Sequence, residues 1–148
     1  MTTQEILEAA RGAKAALALA DSTSRAQALR SMAAQLCSPA SMTAILAANA
    51  LDIAAGEAKG LSGAMLDRLR LDDARVHALA SAVRDVALLP DPVGRVLDHR
   101  VLASGVDLTR VSVPLGLVAM VYEARPNVTA DAAGICIRTG NACILRGG

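Results

Sequence analysis

The chain has 148 residues, the length of one ordinary domain, and at 53% hydrophobic and 20% charged it can bury a core. Its apolar residues are aliphatic: there is no Phe or Trp and Tyr122 is the sole aromatic, which excludes a stacking platform for single-stranded nucleic acid. Fifteen basic against fourteen acidic side chains give a net charge of +1, too balanced for a phosphate-tracking footprint, so no nucleic-acid partner is expected.

The start carries Glu5 and Glu8 where a signal peptide would carry basic residues. The longest apolar run, Leu115 to Tyr122, is far short of the roughly 20 residues of a membrane-spanning helix. The expectation is a cytoplasmic protein with no membrane partner. Cys37, Cys136 and Cys143 show no CxxC or His-linked spacing, so they read as reduced small hydrophobes and no metal site is expected. His77 and His99 are isolated and read as surface residues.

The first 89 residues have helical periodicity. Ile6, Leu7, Ala10 and Leu17 form one stripe, ended by Asp21-Ser-Thr-Ser. Ser24 and Gln27 have capping-box spacing, which predicts a second helix starting there with Leu29, Met32, Ala33 and Leu36 inward. Ser38-Pro39 stops it, because a residue before proline avoids helical geometry. A third helix is expected from about Ser41 to Ala58, with Ile45, Leu46, Ala48 and Ile53 inward and Lys59-Gly60 closing it. Ser62 is placed to cap a short helix carrying Met65, Leu66 and Leu69. Asp72 or Asp73 is placed to cap a longer one with Val76, Leu79, Ala80, Val83 and Ala87 on one face, halted before Pro90.

Pro90-Asp91-Pro92 reads as a linker. Arg95 to Val101 and Val106 to Val113 alternate polar with apolar around Ser104-Gly105, a hairpin signal. A ribbon this long usually needs something to lie on. Gly116 to Tyr122 is a continuous apolar strand of the kind found where both faces of a parallel sheet are covered. Pro126-Asn127 opens a helix with Ala130, Ala133, Gly134 and Ile137 inward and Gly140 at its C′ position, and Ala142 to Arg146 is the next strand. Strand, helix and strand make a βαβ unit. The fold class is therefore α/β: a helical layer over 1–93, a β-hairpin arm over 94–113, and over 114–148 the first βαβ unit of a Rossmann-like parallel sheet. One such unit cannot bury its own sheet, so the chain reads as the front part of a larger protein. By itself it is expected to expose Leu115 to Tyr122 and to aggregate.

The stretch Val113-Pro-Leu-Gly-Leu-Val-Ala-Met-Val-Tyr-Glu-Ala-Arg-Pro-Asn-Val-Thr-Ala-Asp-Ala-Ala-Gly, followed by Arg138-Thr-Gly-Asn-Ala-Cys-Ile-Leu-Arg-Gly-Gly, closely resembles the gamma-glutamyl phosphate reductase (glutamate-5-semialdehyde dehydrogenase) family of the aldehyde dehydrogenase superfamily. Tyr122-Glu-Ala-Arg-Pro-Asn-Val-Thr is the most specific part. The resemblance extends more weakly over the helical segment and Gly94-Arg95-Val96, and it covers only the first part of the family's usual length. It implies NADPH-dependent reduction of L-glutamyl 5-phosphate to L-glutamate 5-semialdehyde with release of phosphate, in L-proline biosynthesis. In that family a cysteine thiolate attacks the acyl phosphate, phosphate leaves, and hydride reduces the thioester. The family's nucleophile lies in a later domain, beyond Gly148, and neither Cys136 in a helix nor Cys143 in a strand matches it. The chain alone is expected to be inactive.

The resemblance also distributes roles. Asn127, just past the carboxyl end of the first sheet strand, is a candidate oxyanion donor, although either Arg125 or Asn127 could occupy the place of the superfamily's Trp-Asn amide; the plain alternative is that Asn127 caps the helix. Arg125 is a candidate for the substrate's phosphate or carboxylate, or for an ion pair with Glu123 or Asp131. Tyr122 and Glu123 are placed on the cofactor side, with simple packing the alternative for Tyr122. Arg146 stands where relatives carry a ribose-contacting lysine and suits a 2′-phosphate, and Gly147 and Gly148 allow close backbone approach; a surface arginine and an ordinary turn are the alternatives. The hairpin resembles the superfamily's oligomerisation arm, which predicts a homo-oligomer, or else it folds back on its own chain. Two other functions stay open: a non-catalytic oligomerisation or assembly module, and a reductase of another acyl phosphate or aldehyde.

Overall fold

The computed structural model describes residues 2–123 and 125–147. Thr3–Leu19 (α1), Ser22–Leu36 (α2), Pro39–Ala58 (α3), Gly63–Leu69 (α4) and Asp73–Leu88 (α5) form the helical layer. Val96–Val101 (β1) and Asp107–Val111 (β2) pair antiparallel as a hairpin, and Leu117–Val121 (β3), Pro126–Arg138 (α6) and Ala142–Arg146 (β4) form a βαβ unit with β3 and β4 parallel. The α/β class and the order of elements follow the sequence expectation.

The helix starts show where local pattern misleads. Asp21, not Ser24, caps α2: its Oδ1 accepts from the Ser24 N–H at 2.7 Å, which holds the Asp21 carboxyl below the usual carboxylate range. A carboxylate gains from both the hydrogen bond and the helix dipole, so α2 begins ahead of the Ser24–Gln27 spacing. Ser38-Pro39 does more than stop α2. Ser38 Oγ accepts from the Ser41 N–H at 3.3 Å and Pro39 takes the first helical position, so α3 begins at Pro39.

On α3 the expected inward residue Ala48 is exposed, and Asn49 and Gly56 are the buried positions. Asn49 faces in because its amide is fully used. Nδ2 donates to the Leu69 carbonyl at 2.8 Å and Oδ1 accepts from the Leu71 N–H at 2.7 Å, satisfying backbone that the end of α4 leaves open. On α1, Ile6 and Leu7 are exposed and Ala10 is the buried member of the stripe.

The core joins Leu29 and Ala33 of α2, Ala80, Val83 and Ala87 of α5 and Ala130 of α6. Leu29, Val76 and Val83 are fully buried, each stabilising the fold by about 1.5–3 kcal/mol. With no large aromatic in the way, α6 lies against both α2 and α5, with Gly134 facing Leu29 and Val83.

Two buried guanidiniums anchor the segment after α5, and one of them, Arg138, ties the helical layer to the βαβ unit. Arg138 at the end of α6, 7% exposed, donates from Nε to the Leu89 carbonyl at 3.1 Å and from Nη1 to the Ser22 carbonyl at 3.1 Å. Arg25 in α2, 3% exposed, pairs through Nη2 with Asp91 Oδ2 at 2.5 Å and donates to the Ala20 carbonyl. Segment 89–93, expected to be a simple linker, is thus pinned on both sides.

The hairpin turns at Gly105, whose φ of +82° needs glycine, and one register shift lies between Val96 and Asp98. His99 pairs across it with Asp107 at 2.7 Å. All of β2 is exposed, as is β1 apart from the half-buried Asp98, so the ribbon does not fold back on its own chain. In the βαβ unit, Asn141 Oδ1 accepts from the Gly116 N–H at 2.7 Å, fixing the entry to β3. Helices α1 and α6 cover the two strands only in part, so β3 is not buried on both faces as its composition suggests: Val121 is 80% exposed and Leu115, before the strand, 85%.

All three cysteines are free; Cys136 is buried, and burial reinforced by Cys143 pushes its thiol pKa up. His77 is not isolated: its Nδ1 lies 3.3 Å from Cys37 Sγ. Among the described residues no single helix is long and apolar enough to cross a membrane, and α2 with α3 would qualify only as a pair bent by 67°.

Partial burial of Asp91 opposes its ionisation but is outweighed by hydrogen bonds from the Val93 N–H and Ser22 hydroxyl and by the charges of Arg25 and Arg138, so its pKa is lowered. Its ionised form therefore stabilises the fold above the ordinary carboxylate range and is lost as pH falls through the lowered folded value. Circular-dichroism melts of wild type should lose more stability between about pH 6 and about pH 3 than melts of D91N; parallel pH profiles would contradict this. Gly140 has φ +72° and an added Cβ would lie 2.9 Å from Pro114 Cγ, so Gly140→Ala should cost about 1–3 kcal/mol in urea unfolding.

Candidate functional site

The register of the parallel pair sets Val121 opposite Arg146, so the residues leaving both strands emerge side by side. The Tyr122 N–H donates to the Arg146 carbonyl at 3.1 Å, extending the ladder one residue beyond β3. Gly147 then lies against the Tyr122 ring, where a Cβ would stand 3.7 Å from it. The Tyr122 hydroxyl meets Thr129 Oγ1 at 2.6 Å, turning the ring onto the first turns of α6. Carboxyl ends of parallel strands and the N-terminus of a helix thus converge, the place where open α/β sheets take ligands.

The start of α6 is open. Arg125 is its N-cap residue and makes no side-chain cap, and Pro126 follows in the first turn. Asn127 lies inside that turn and donates from Nδ2 to Asp131 Oδ2 at 3.1 Å, so it is not the cap of this helix. An amide has a second N–H on the same nitrogen to offer. Among the described residues no ion pair joins Arg125 to Glu123 or Asp131.

Two clefts flank this start. The larger, of about 410 Å³, lies between the C-terminal half of α3 and the strand ends; Asp52, Gly56 and Lys59 face Tyr122, Arg125 and Gly147 across it. The smaller, of about 260 Å³, is bounded by Arg68, Arg70 and Arg75 from the α4–α5 region and by Pro126 and Asn127. Pro126 lines both, so α6 opens on the ridge between them. The structure therefore gathers Tyr122, Arg125 and Gly147 in one cleft and puts Asn127 in the other. Glu123 and Arg146 are exposed at the strand ends and line neither, and Gly148 falls outside the described residues.

Sequence reasoning missed Asp52, Lys59, Arg68, Arg70 and Arg75. They lie in ordinary helical pattern far from the Tyr122–Thr129 segment, and no local spacing marks them as facing one site. Chemically, one cleft combines an aromatic ring and bare backbone with two cations and one carboxylate, Asp52, for a net positive lining, and the other combines an amide donor with three guanidiniums. Both suit anionic ligands.

No family model matches the chain. It is 55% identical over 141 residues to the gamma-glutamyl phosphate reductase of Vibrio cholerae, covering 95% of this chain and 33% of that protein. It is 51% identical over all 148 residues to that of Xanthomonas oryzae pv. oryzae, covering 35% of it. The crystal structure of the gamma-glutamyl phosphate reductase of Thermotoga maritima superimposes with a TM-score of 0.91 at 34% identity, over 98% of this chain and 34% of that one. That of Saccharomyces cerevisiae gives 0.86 at 34% identity, over 100% of this chain and 38% of that one. The chain is similar in sequence and fold to the amino-terminal part of gamma-glutamyl phosphate reductases, and it spans about a third of the length of the curated relatives it matches.

The Tyr122–Thr129 bond sets the ring that walls the larger cleft. Tyr122→Phe and Thr129→Val should each cost about 1 kcal/mol, and the double variant no more than the larger single effect in a denaturant-based double-mutant cycle. Additive losses would show that the two hydroxyls are not coupled.

Proposed function

We propose that this chain forms one wall of a cytoplasmic, NADPH-dependent reductase that converts L-glutamyl 5-phosphate to L-glutamate 5-semialdehyde with release of phosphate, a step of L-proline biosynthesis. The observation that carries this reading is a position. The segment Tyr122–Thr129, with the residues most specific to the resemblance, surrounds the ridge between two anion-suited clefts at the carboxyl ends of β3 and β4.

The larger cleft fits a phosphorylated nicotinamide dinucleotide by its donor set: Lys59 and Arg125 for phosphate, the Tyr122 ring, and Gly147 with no side chain to obstruct that ring. Tyr122 and Gly147 are proposed to hold it within the cleft, and Glu123 and Arg146, exposed at the strand ends outside the cleft lining, to meet the part that extends beyond it, the Arg146 cation suiting a 2′-phosphate. When bound, the cofactor supplies the hydride. Asn127 donates its amide to the acyl oxygen as negative charge develops, with Asp131 fixing the amide's orientation from behind. Arg125 offers its planar fork to an anionic group of the substrate.

The nucleophilic thiolate comes, on this reading, from polypeptide outside these 148 residues. Cys37, Cys136 and Cys143 line neither cleft, and burial disfavours the thiolate of Cys136. The same reading gives the hairpin a partner: its exposed strand edges, with Val96, Val101 and Val111 uncovered, are placed to pair with a second copy of the chain.

The test is phosphate-dependent oxidation of glutamate 5-semialdehyde with NADP, followed by absorbance in a full-length polypeptide carrying this segment. Activity is expected, and Asn127→Ala should lower kcat by about 10²–10³ with the KM for NADP unchanged. Absence of the wild-type activity overturns the function, and an N127A rate within about twofold of wild type overturns the role of Asn127.

A further inference from the structure

We infer that the smaller cleft is a phosphoryl subsite, in which Arg68 and Arg70 hold the phosphate of an acyl phosphate whose carbonyl oxygen faces Asn127; the identity of the acyl group rests on the function proposed above. Among the described lining residues the cleft has three guanidiniums and no acidic side chain. The three do different work.

Arg75 is already engaged: Nη2 pairs with Asp67 Oδ1 at 2.8 Å, and Nη1 donates to the Arg70 carbonyl at 2.8 Å and to the Asp67 carbonyl. With Asp72 Oδ1 accepting from the Arg75 N–H at 2.7 Å, this clamps the last turn of α4 onto the first turn of α5. Arg68 and Arg70 stand on that clamped backbone, exposed, with no side-chain hydrogen bond or ion pair among the described residues. Their charges are held near the cleft but are not neutralised within it.

The opposite wall is complementary. The first turn of α6 has no side-chain cap; Pro126 carries no N–H and the Val128 N–H is taken by the Arg125 carbonyl at 3.1 Å, so the Asn127 N–H and the positive end of the dipole add to the potential of the arginines. Covalent geometry completes the assignment. In an acyl phosphate only the bridging oxygen separates the carbonyl carbon from phosphorus. A donor for the carbonyl oxygen and cations for the phosphate must therefore share one small space, as Asn127, Arg68 and Arg70 do. The α-carboxylate of a glutamyl group lies a full side chain away from that carbon.

In the acylation step the thiolate sulfur bonds to the acyl carbon and the carbon–oxygen bond to phosphate breaks, leaving its electron pair on the departing oxygen. Solvent supplies the proton that yields hydrogen phosphate. Arg68 and Arg70 donate to the phosphate oxygens as their charge rises, and run in reverse they recruit inorganic phosphate to the thioester.

The experiment uses the full-length polypeptide with R68A, R70A, R68A/R70A and R68K/R70K, and R84A as a control on another part of α5. Inorganic phosphate is titrated in two ways: by 31P line broadening without turnover, and as co-substrate in semialdehyde oxidation. In R68A/R70A phosphate affinity should fall and its KM rise by about tenfold or more, with R68K/R70K intermediate and R84A at wild type. The KM values for semialdehyde and NADP should stay within about twofold. Unchanged phosphate affinity overturns the inference, as does a rise confined to the semialdehyde KM, which would assign these arginines to the carboxylate. If the wild type binds phosphate but does not oxidise glutamate 5-semialdehyde, the proposed function fails, while loss of phosphate binding in R68A/R70A still sustains the subsite.

Discussion

The fold turns on two guanidiniums that are almost wholly out of water. Burying a cation costs several kcal/mol unless its donors are met, and here most are met by the connector between the helical layer and the hairpin and by the start of α2. Arg138 reaches Leu89 and Ser22, and Arg25 reaches Asp91 and Ala20. Arg25 Nε is left as the one buried side-chain nitrogen without a partner among the described residues. Removing Arg138 would leave two part-buried carbonyls without their donor and removing Arg25 would leave the Asp91 carboxylate without its cation, a loss on the order of 1–3 kcal/mol in each case. The consequence reaches the site because α6 is a rigid rod. Its C-terminal end is fixed by Arg138 and its middle by the contact of Gly134 with Leu29 and Val83, so its N-terminus, with Asn127, has little freedom.

The periodic parts of the chain were legible because they depend on neighbours in sequence. The apolar face of α5 from Val76 to Ala87, the turn at Gly105 and the C′ glycine at 140 all follow from spacing and backbone preference. Misreadings arose where a polar side chain acts over distance. Asn49 lies inward because it bonds to Leu69 and Leu71, some twenty residues on, and a pattern that scores only apolarity places Ala48 there instead. Arg25 and Arg138 interrupt buried faces for the same reason. At Asp21 the failure was local: Ser24 and Gln27 satisfied a motif, yet a carboxylate three residues earlier bound the same N–H group more strongly.

The site divides along the same line. Tyr122, Arg125, Asn127 and Gly147 were legible because they cluster at the strand ends and in the segment that carries the resemblance. Asp52, Lys59, Arg68 and Arg70 were not, because they reach the clefts only once the helical layer has packed and set α3 and α4 across from the βαβ unit. Nothing in a helical stretch distinguishes a solvated arginine from one that faces a cleft.

The start of α6 breaks a rule that the rest of the chain keeps. Each of the other helices longer than two turns has a side-chain cap, from Thr2, Asp21, Ser38 and Asp72 in turn. At α6 the cap position holds Arg125, a cation at the positive end of a helix dipole, which forgoes about 0.5–2 kcal/mol of capping and adds like-charge repulsion. A carboxylate or hydroxyl there would stabilise the helix but would compete for its backbone donors and, if ionised, repel an anion. The unfavourable choice becomes favourable once negative charge is bound from outside, because cation, dipole and the Asn127 N–H then share one ligand. A locally inconsistent residue where strand ends, two clefts and unpaired arginines meet is what stability yields to binding.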